Sequence, residues 1–213
     1  MAKILHVAPA YGWWGLLRPD CLDTENGGAV GGGETALLQA CFQMAAHGHE
    51  VACAFRCQPE RYRGIDFYSL VEAERLAHDS AWDVIISWDD AAFFANLPPT
   101  QRAWRVCALQ MNDIEVAAQA LPDVYTSPSR THADVMAARY HLSPARFAVI
   151  HNAVDPARFD FSGERDPYAV YYASSPDRGL HHLLHLWPRV LEHEPRARLY
   201  VFYEIRRWLS AVA

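Results

Sequence analysis

The chain has 213 residues, of which 51% are hydrophobic and 21% are charged, and its formal net charge is -6 at pH 7. This composition is typical of a globular protein with a buried core, and it excludes a disordered chain, a collagen and a coiled coil. Acidic residues outnumber basic ones 25 to 19, so no nucleic-acid surface is predicted, and the length fits one large domain or one and a half typical ones.

Strands and helices are predicted to alternate over residues 1–151. Continuous apolar runs predict seven strands, at 3–8, 51–55, 65–70, 83–87, 105–109, 123–126 and 147–151. Apolar residues at helical spacing predict helices at 34–48 and 71–78, and a third that Ser129 caps and that runs to Tyr140. This order predicts an α/β fold, a Rossmann-like parallel sheet with helices on both faces.

The pattern stops at residues 152–166, which are rich in acidic residues and have no period, so they are interpreted as a linker. It then starts again over residues 167–213, with strands at 168–173 and 198–203 around a helix at 178–193. Leu183, Leu184 and Trp187 are predicted to lie on the buried face of that helix. We therefore expect one finished domain and the start of a second Rossmann-like domain, whose open strand edge favours self-association or a partner chain.

A glycine cluster at 27–33 joins the first strand to the first helix. Glycine lets backbone N–H groups approach an anion closely, and a helix N-terminus adds partial positive charge. Glu34 stands where a P-loop needs lysine, so a Walker-type NTPase is excluded, and the dinucleotide fingerprint is absent as well. Substrate binding by Gly31, Gly32, Gly33 and Glu34 is predicted; the alternative is a flexible surface loop.

Polar residues also follow the fourth predicted strand. Ligands of open α/β sheets bind at the carboxyl ends of strands, so Asp89 is the candidate catalytic residue. Asp90 and Asp113 precede apolar helical stretches and are interpreted as helix caps. Three aromatic residues of the first loop either stack on a sugar or anchor the loop, and both interpretations stay open: Tyr11, Trp13 and Trp14.

In the second domain, Ser174, Ser175 and Arg178 stand between a strand and a helix. Hydroxyls and an arginine at a helix start can hold an anion, while a capped helix start is the alternative. His181 and His185 lie one helical turn apart, but no third metal ligand is evident, so solvated histidines are expected. We predict no metal and no cofactor.

The five cysteines, an odd number, come without a signal peptide, which predicts reduced thiols in the cytoplasm. Cys53 and Cys57 are spaced C-x3-C without a second ligand pair, so Cys53 is interpreted as a core residue. No run reaches the about 18 apolar residues that span a bilayer. We therefore expect a cytoplasmic protein, which can lie at the inner face of a membrane.

Taken in order, four stretches resemble the GT-B glycosyltransferases, specifically the large retaining group 1, family 4-like family. They are GGE at 32–34 followed by HGHEV at 47–51, VIHNAVDPARF at 149–159, SPDRGL at 175–180 and PRARLYVFY at 195–203. Arg178 stands in place of the family's lysine. Trp88 and Asp89 stand where the family often has a histidine.

This resemblance implies transfer of a sugar from a nucleotide-sugar donor to an acceptor, with retention and without a metal ion. The acceptor is a sugar, a lipid or a small molecule. The resemblance places residues 31–33 by the donor phosphates or the acceptor. It also places Arg178 on the leaving diphosphate, where Ser174 and Ser175 donate hydrogen bonds. The family's E-x7-E segment does not occur, so a truncated donor domain and poor turnover by this chain are expected.

Two other functions are alternatives. One is a non-catalytic or two-chain binding module that keeps the acceptor-side domain. The other is a Rossmann oxidoreductase, which the missing dinucleotide fingerprint disfavours.

Overall fold

The computed structural model describes residues 1–9, 16–23, 30–79, 81–110, 121–154, 156 and 163–203. Asp113 and the three aromatic residues of the first loop lie outside these ranges. The chain divides into two compact units, Met1–Ala153 and Val154–Ala213. Within the described ranges, no helix combines the length and the apolar character needed to cross a membrane.

An eight-stranded sheet forms the first unit. Its strands are β1 (Lys3–Val7), β2 (Glu50–Phe55), β3 (Glu60–Tyr62), β4 (Ile65–Ser69), β5 (Val84–Trp88), β6 (Trp104–Ala108), β7 (Val124–Ser127) and β8 (Phe147–Val149). Their order across the sheet is β3-β4-β2-β1-β5-β6-β7-β8, and every neighbouring pair is parallel except β3 with β4. The predicted α/β fold with a large, mostly parallel sheet is confirmed.

Helices cover both faces of this sheet, as predicted. Helix α1 (Gly32–Ala46) packs on the face that Ile4 and Ile86 share. Helices α2 (Ala73–Asp79) and α3 (Arg130–Arg139) pack on the opposite face, where Leu5 and Ile85 lie. Because strand residues alternate between faces, each strand supplies both cores, which is why the apolar runs are continuous.

The structure adds short elements that the sequence did not predict. Strand β3 pairs antiparallel with β4 across a turn at Arg63 and Gly64, both at positive φ (50° and 80°). Three-residue 3-10 helices lie at Leu70–Glu72 and Pro144–Arg146, and a five-residue one at Ala92–Asn96. β3 was missed because three polar residues on a sheet edge carry no hydrophobic period.

Ser129 caps α3, as the sequence predicts. Its side chain accepts a hydrogen bond from the backbone N–H of His132 at 3.1 Å. That bond satisfies one of the four N–H groups that a helix start leaves unpaired.

In the second unit, β9 (Ala169–Tyr172) and β10 (Arg198–Val201) pair in parallel, and helix α4 (Leu180–His193) connects them. Leu180 is the buried residue of α4. The predicted burial of Leu184 is wrong, since this side chain is 52% exposed, and Leu183 and Trp187 are only half-buried. A two-stranded sheet is too narrow to cover the whole apolar stripe of a helix of this length.

Candidate functional site

The carboxyl ends of the central parallel strands carry the first group of candidate residues. Strand β5 lies between β1 and β6, so the residue after β5 stands beside the ends of both neighbours. That residue is Asp89. Its backbone N–H donates to the Ala108 carbonyl at 2.9 Å, and its Oδ1 accepts from the Gln110 N–H at 2.6 Å.

Asp89 adopts a left-handed backbone conformation, with φ at 54°. Aspartate tolerates this region better than most residues, and strained residues of this kind cluster at functional sites. The bond to Gln110 fixes the carboxylate against the end of β6. This hydrogen bond could not be predicted from the sequence, because the donor is a backbone N–H group 21 residues further along the chain.

Asp90, predicted as a helix cap, stands one residue before the N-cap residue Ala91, and its side chain makes a hydrogen bond of the capping kind. Its Oδ1 accepts from the backbone N–H of Phe93 at 3.2 Å, at the start of the 3-10 helix Ala92–Asn96. The Ser87 hydroxyl donates to the Asp90 carbonyl and fixes the turn from the other side. Asp90 is therefore part of the scaffold that supports Asp89.

The second group of candidate residues lies at the start of α1. Gly31 is the N-cap residue, and the Thr35 hydroxyl donates to its carbonyl at 2.9 Å. The Glu34 carboxylate folds back over Gly31, where a β-carbon on residue 31 would collide with Oε2. A negative charge in the first helical turn is favoured by the helix dipole. Gly32 opens onto free space, with no atom within 4 Å of the position that a β-carbon would take.

The third group of candidate residues lies in the loop after β9. Ser174 and Ser175 are half-buried and Arg178 is exposed. The Tyr172 hydroxyl donates to the Ser175 carbonyl at 2.7 Å, and the Arg178 N–H donates to the same oxygen at 3.0 Å. These two bonds fold the loop into a single 3-10 turn, Pro176–Arg178.

Helix capping does not explain the polar side chains of this loop. Ser175 makes no side-chain cap hydrogen bond, and α4 begins later than predicted, after Gly179. Gly179 has φ at 105°, a conformation that favours glycine. Within the described residues, no hydrogen bond or ion pair engages the hydroxyls of Ser174 and Ser175 or the guanidinium of Arg178. These groups are therefore able to bind a ligand.

The structure thus brings Asp89 and residues 31–34 to strand and helix ends of the first unit, and Ser174, Ser175 and Arg178 to one loop of the second. His181 and His185 are exposed on α4. Across the part of the chain that the structure describes, no three His, Cys, Asp or Glu side chains are grouped so that they could hold a metal ion.

Within the first unit, a cavity of about 330 Å³ lies at the amino ends of β6 and β7. Its lining includes Pro98, Arg102, Arg105 and Asp123. The Arg105 guanidinium makes a two-point contact with the Asp123 carboxylate, which also accepts the Arg105 N–H at 2.8 Å. This hydrogen-bonded ion pair holds the pKa of Asp123 below its usual range.

Comparison with known proteins adds structural neighbours but no sequence relatives. No protein-family model matches the chain, and no curated protein matches it. The crystal structure of AviGT4, a glycosyltransferase involved in avilamycin A biosynthesis, matches with a TM-score of 0.62 at 18% identity. That match covers 100% of this chain and 61% of AviGT4.

A second neighbour is Anabaena HepE (Alr3699), whose crystal structure contains UDP and glucose. It matches with a TM-score of 0.50 at 10% identity, over 99% of this chain and 72% of HepE. At these identities the likeness shows a shared fold. The chain therefore has a Rossmann-like α/β fold that it shares with AviGT4, over about three fifths of the length of that glycosyltransferase.

Proposed function

We propose that the chain is a glycosyltransferase of the GT-B type, or a part of one, that transfers a sugar from a nucleotide-sugar donor to an acceptor. The observation that carries this proposal is the match to AviGT4, which extends over the whole of this chain. The proposal is also supported by the candidate ligand-binding residues that follow parallel strands in both units, because ligands of such sheets bind at the carboxyl ends of the strands.

The second unit is proposed to bind the donor diphosphate. During transfer the bond between the sugar C1 and the diphosphate oxygen breaks, and negative charge grows on the leaving phosphate. Arg178 is exposed and has no ion-pair partner within the described residues, so its guanidinium is available to stabilise that charge. The hydroxyls of Ser174 and Ser175 are proposed as further donors. With an arginine in this role the reaction is proposed to need no metal ion, and retention of configuration is proposed on the family resemblance.

The first unit is proposed to bind the acceptor. Because the Glu34 carboxylate lies over the start of α1, this helix end repels a phosphate and suits hydroxyl groups, which can donate to the carboxylate. The opening beside Gly32 gives an acceptor access to the backbone there. Asp89 is proposed to accept the proton, or a hydrogen bond, of the attacking hydroxyl, with its carboxylate held by Gln110.

The cysteines are in the thiol form that a reducing compartment maintains. All five are free and buried. We therefore propose a cytoplasmic location, where thiols stay reduced.

Calorimetric titration with UDP, GDP and ADP tests the donor site. At least one nucleoside diphosphate is expected to bind measurably, and Arg178→Ala is expected to weaken it by about tenfold, the usual loss for a charged hydrogen bond. Arg189→Ala, which replaces an exposed arginine of the following helix α4, is the matched control and is expected to change the affinity less than about twofold. Equal affinities of the Arg178→Ala variant and the unmodified chain would contradict the assignment of this loop.

A binding module that associates through its second sheet is the alternative that one observation favours. Tyr171, Tyr200 and Phe202 form an exposed aromatic cluster, with Tyr171 and Tyr200 stacked at 5.4 Å between ring centroids. Aromatic surfaces of this kind are enriched at protein interfaces. Sedimentation velocity over a concentration series distinguishes the two: self-association that Tyr171→Ser abolishes, without any nucleotide binding, would favour the module.

A further inference from the structure

The cavity at the amino ends of β6 and β7 takes no part in the proposed sugar transfer. It lies at the opposite end of β6 from Ala108, whose carbonyl binds the N–H of Asp89. Its volume of about 330 Å³ is at the lower end of the range of small-molecule sites. The lining includes three apolar and three charged residues: Leu97, Pro98, Pro99, Arg102, Arg105 and Asp123. A small ligand with an apolar part and a charged part fits such a lining.

The loop that precedes β6 is held in place by the side chain of Gln101. Its Nε2 donates to the Ala77 carbonyl of α2 at 2.6 Å, and its Oε1 accepts from the backbone N–H groups of Arg102 at 2.9 Å and Ala103 at 3.0 Å. The Gln101 N–H donates to the Pro98 carbonyl at 2.9 Å, and two consecutive prolines restrict the backbone of this turn. The cavity is therefore preformed, which lowers the entropic cost of binding a ligand.

Arg102 supplies an unpaired positive charge at this cavity. The residue is exposed, and within the described residues no hydrogen bond or ion pair engages its guanidinium. A guanidinium carries five N–H donors in a planar fork that matches the geometry of a carboxylate. Because Arg102 borders the cavity, these donors are available to an anionic group of a ligand.

Arg105 is oriented by Asp123. Its Nε and Nη2 donate to the Asp123 carboxylate at 3.3 Å and 2.8 Å, whereas Nη1 makes no hydrogen bond within the described residues. The arginine side chain is 38% exposed, so Nη1 is open to a ligand. Because the ion pair holds the pKa of Asp123 below its usual range, this carboxylate is ionised at neutral pH. Two arginines at +1 and one aspartate at −1 give the lining a net charge of +1.

The net charge and the apolar residues together indicate the class of ligand. A dianion such as hydrogen phosphate exceeds the charge of +1 and is repelled by the Asp123 carboxylate, whereas an organic carboxylate carries a single negative charge. An apolar body that packs on Leu97 and Pro98 gains free energy by leaving water. We propose that this cavity is a second ligand site, which binds a small organic carboxylate through Arg102 and Nη1 of Arg105. This binding is independent of the proposed sugar transfer.

Titration of the whole chain with benzoate, followed by NMR and by calorimetry, tests this site. We expect a dissociation constant on the order of 1 mM, in keeping with a ligand of this size. The amide signals of residues 100–105 and 123 are expected to shift. Benzyl alcohol lacks the charge and acetate lacks the apolar body, so each is expected to bind at least about tenfold more weakly than benzoate. Hydrogen phosphate is also expected to bind more weakly.

Substitution of Arg102 tests the charged contact. Arg102→Gln is expected to weaken benzoate binding about tenfold, the usual loss for a charged hydrogen bond. Arg61→Gln, which removes the same charge from an exposed residue of β3 at the far edge of the sheet, is the matched control. It is expected to change the affinity less than about twofold, because salt screens a distant charge. Arg178→Ala is expected to have no larger effect than this control, which separates the cavity from the proposed donor loop.

Three results would overturn the proposal. One is benzoate that shifts no amide signal of residues 100–105, or only the signals of the loop with Arg178. Another is an unchanged benzoate affinity in an Arg102→Gln variant that circular dichroism shows to be folded. The third is hydrogen phosphate that binds at residues 100–105 more tightly than benzoate. If Arg102→Gln does not fold, Arg102→Lys, which keeps the charge but loses the planar fork, replaces it with an expected loss of about threefold.

Discussion

The two units of the chain use the same alternation of strand and helix but bury their apolar side chains to very different extents. In the first unit, where helices cover both faces of the sheet, Leu5 and Ile85 are 0% exposed on the face that α2 and α3 cover. In the second, Tyr171 is 63% exposed and Leu184 is 52% exposed. A parallel sheet is stable when both faces are covered, and among the described residues it is the eight-stranded unit whose sheet is covered in this way.

This difference bears on how the two parts of the candidate site are held. Asp89 is fixed by hydrogen bonds to the ends of a buried sheet, which favours a preorganised position. The loop with Arg178 rests on two bonds to one carbonyl and on a unit with little burial. We therefore expect the first unit to be sensitive to substitution in its core and the second to tolerate it.

The largest expected effect is in the core of the first unit. Leu5→Ala is expected to lower the free energy of unfolding by about 3 kcal/mol, because it removes buried methyl groups and leaves a cavity. Leu184→Ala, the same substitution on α4, is expected to cost less than about 0.5 kcal/mol. Urea denaturation followed by circular dichroism measures both, and equal losses would contradict the contrast between the units.

Replacement of Asp89 is expected to have the next largest effect. Asp89→Ala removes the acceptor for the Gln110 N–H and places alanine at positive φ, which together cost about 2 kcal/mol. Asp89→Asn keeps an acceptor oxygen and tolerates that conformation, so it is expected to cost less than about 0.5 kcal/mol. Urea denaturation checks both values. If Asp89 is the catalytic base, Asp89→Asn is also expected to lose transfer activity in the folded protein, whereas retained activity would assign it a scaffold role.

A smaller effect, which depends on pH, is expected at the ion pair of Arg105 and Asp123. The folded state holds the pKa of Asp123 below its value in the unfolded chain, so the pair stabilises the fold above about pH 4 and loses that effect as pH falls through the folded pKa. Asp123→Asn is expected to cost about 1 kcal/mol at pH 7 and less at pH 3, a modest value because both side chains are partly exposed.

Glu194→Gln is the matched control in the second unit. Glu194 makes a similar two-point contact with Arg196, two residues further on, and this contact is exposed to solvent, so no measurable loss is expected. Thermal denaturation at the two pH values measures both variants. A loss at Asp123 that does not depend on pH would show that packing, rather than charge, explains the contact.

The smallest expected effect is at the start of α1. Gly31→Ala pushes the Glu34 carboxylate away from the helix end and is expected to cost about 0.5 kcal/mol. Gly32→Ala meets no neighbouring atom and is not expected to destabilise the fold. If the Glu34 contact explains the loss, Gly31→Ala in a Glu34→Ala background is expected to cost measurably less. Equal losses in both backgrounds would contradict that explanation.

Much of this fold could be predicted because its signals are local. Seven buried strands appear as continuous apolar runs, and Ser129 stands directly before the helix that it caps. Other features depend on contacts that the sequence does not display. The bonds from Gln110 to Asp89 and from Trp88 to His6 join strands that only the sheet order brings together. A histidine within the apolar run of β1 was the one available signal for the second bond.

Burial was predicted less well than secondary structure. The periodicity of α4 indicated a helix with an apolar stripe, and the helix is present. The periodicity does not predict whether another part of the unit packs against that stripe. Leu184 is exposed because none of the described residues covers it. Hydrophobic periodicity shows which side chains share one face of a helix. Whether that face is buried depends on the other elements of the unit.

The most direct test of the central claim is a crystal structure of this chain soaked with UDP or with another nucleoside diphosphate that binds. A sugar transferase of the proposed kind is expected to show the diphosphate bonded to the Arg178 guanidinium and to the hydroxyls of Ser174 and Ser175. Phosphates bound away from this loop, at residues 31–33 or elsewhere, would contradict the account.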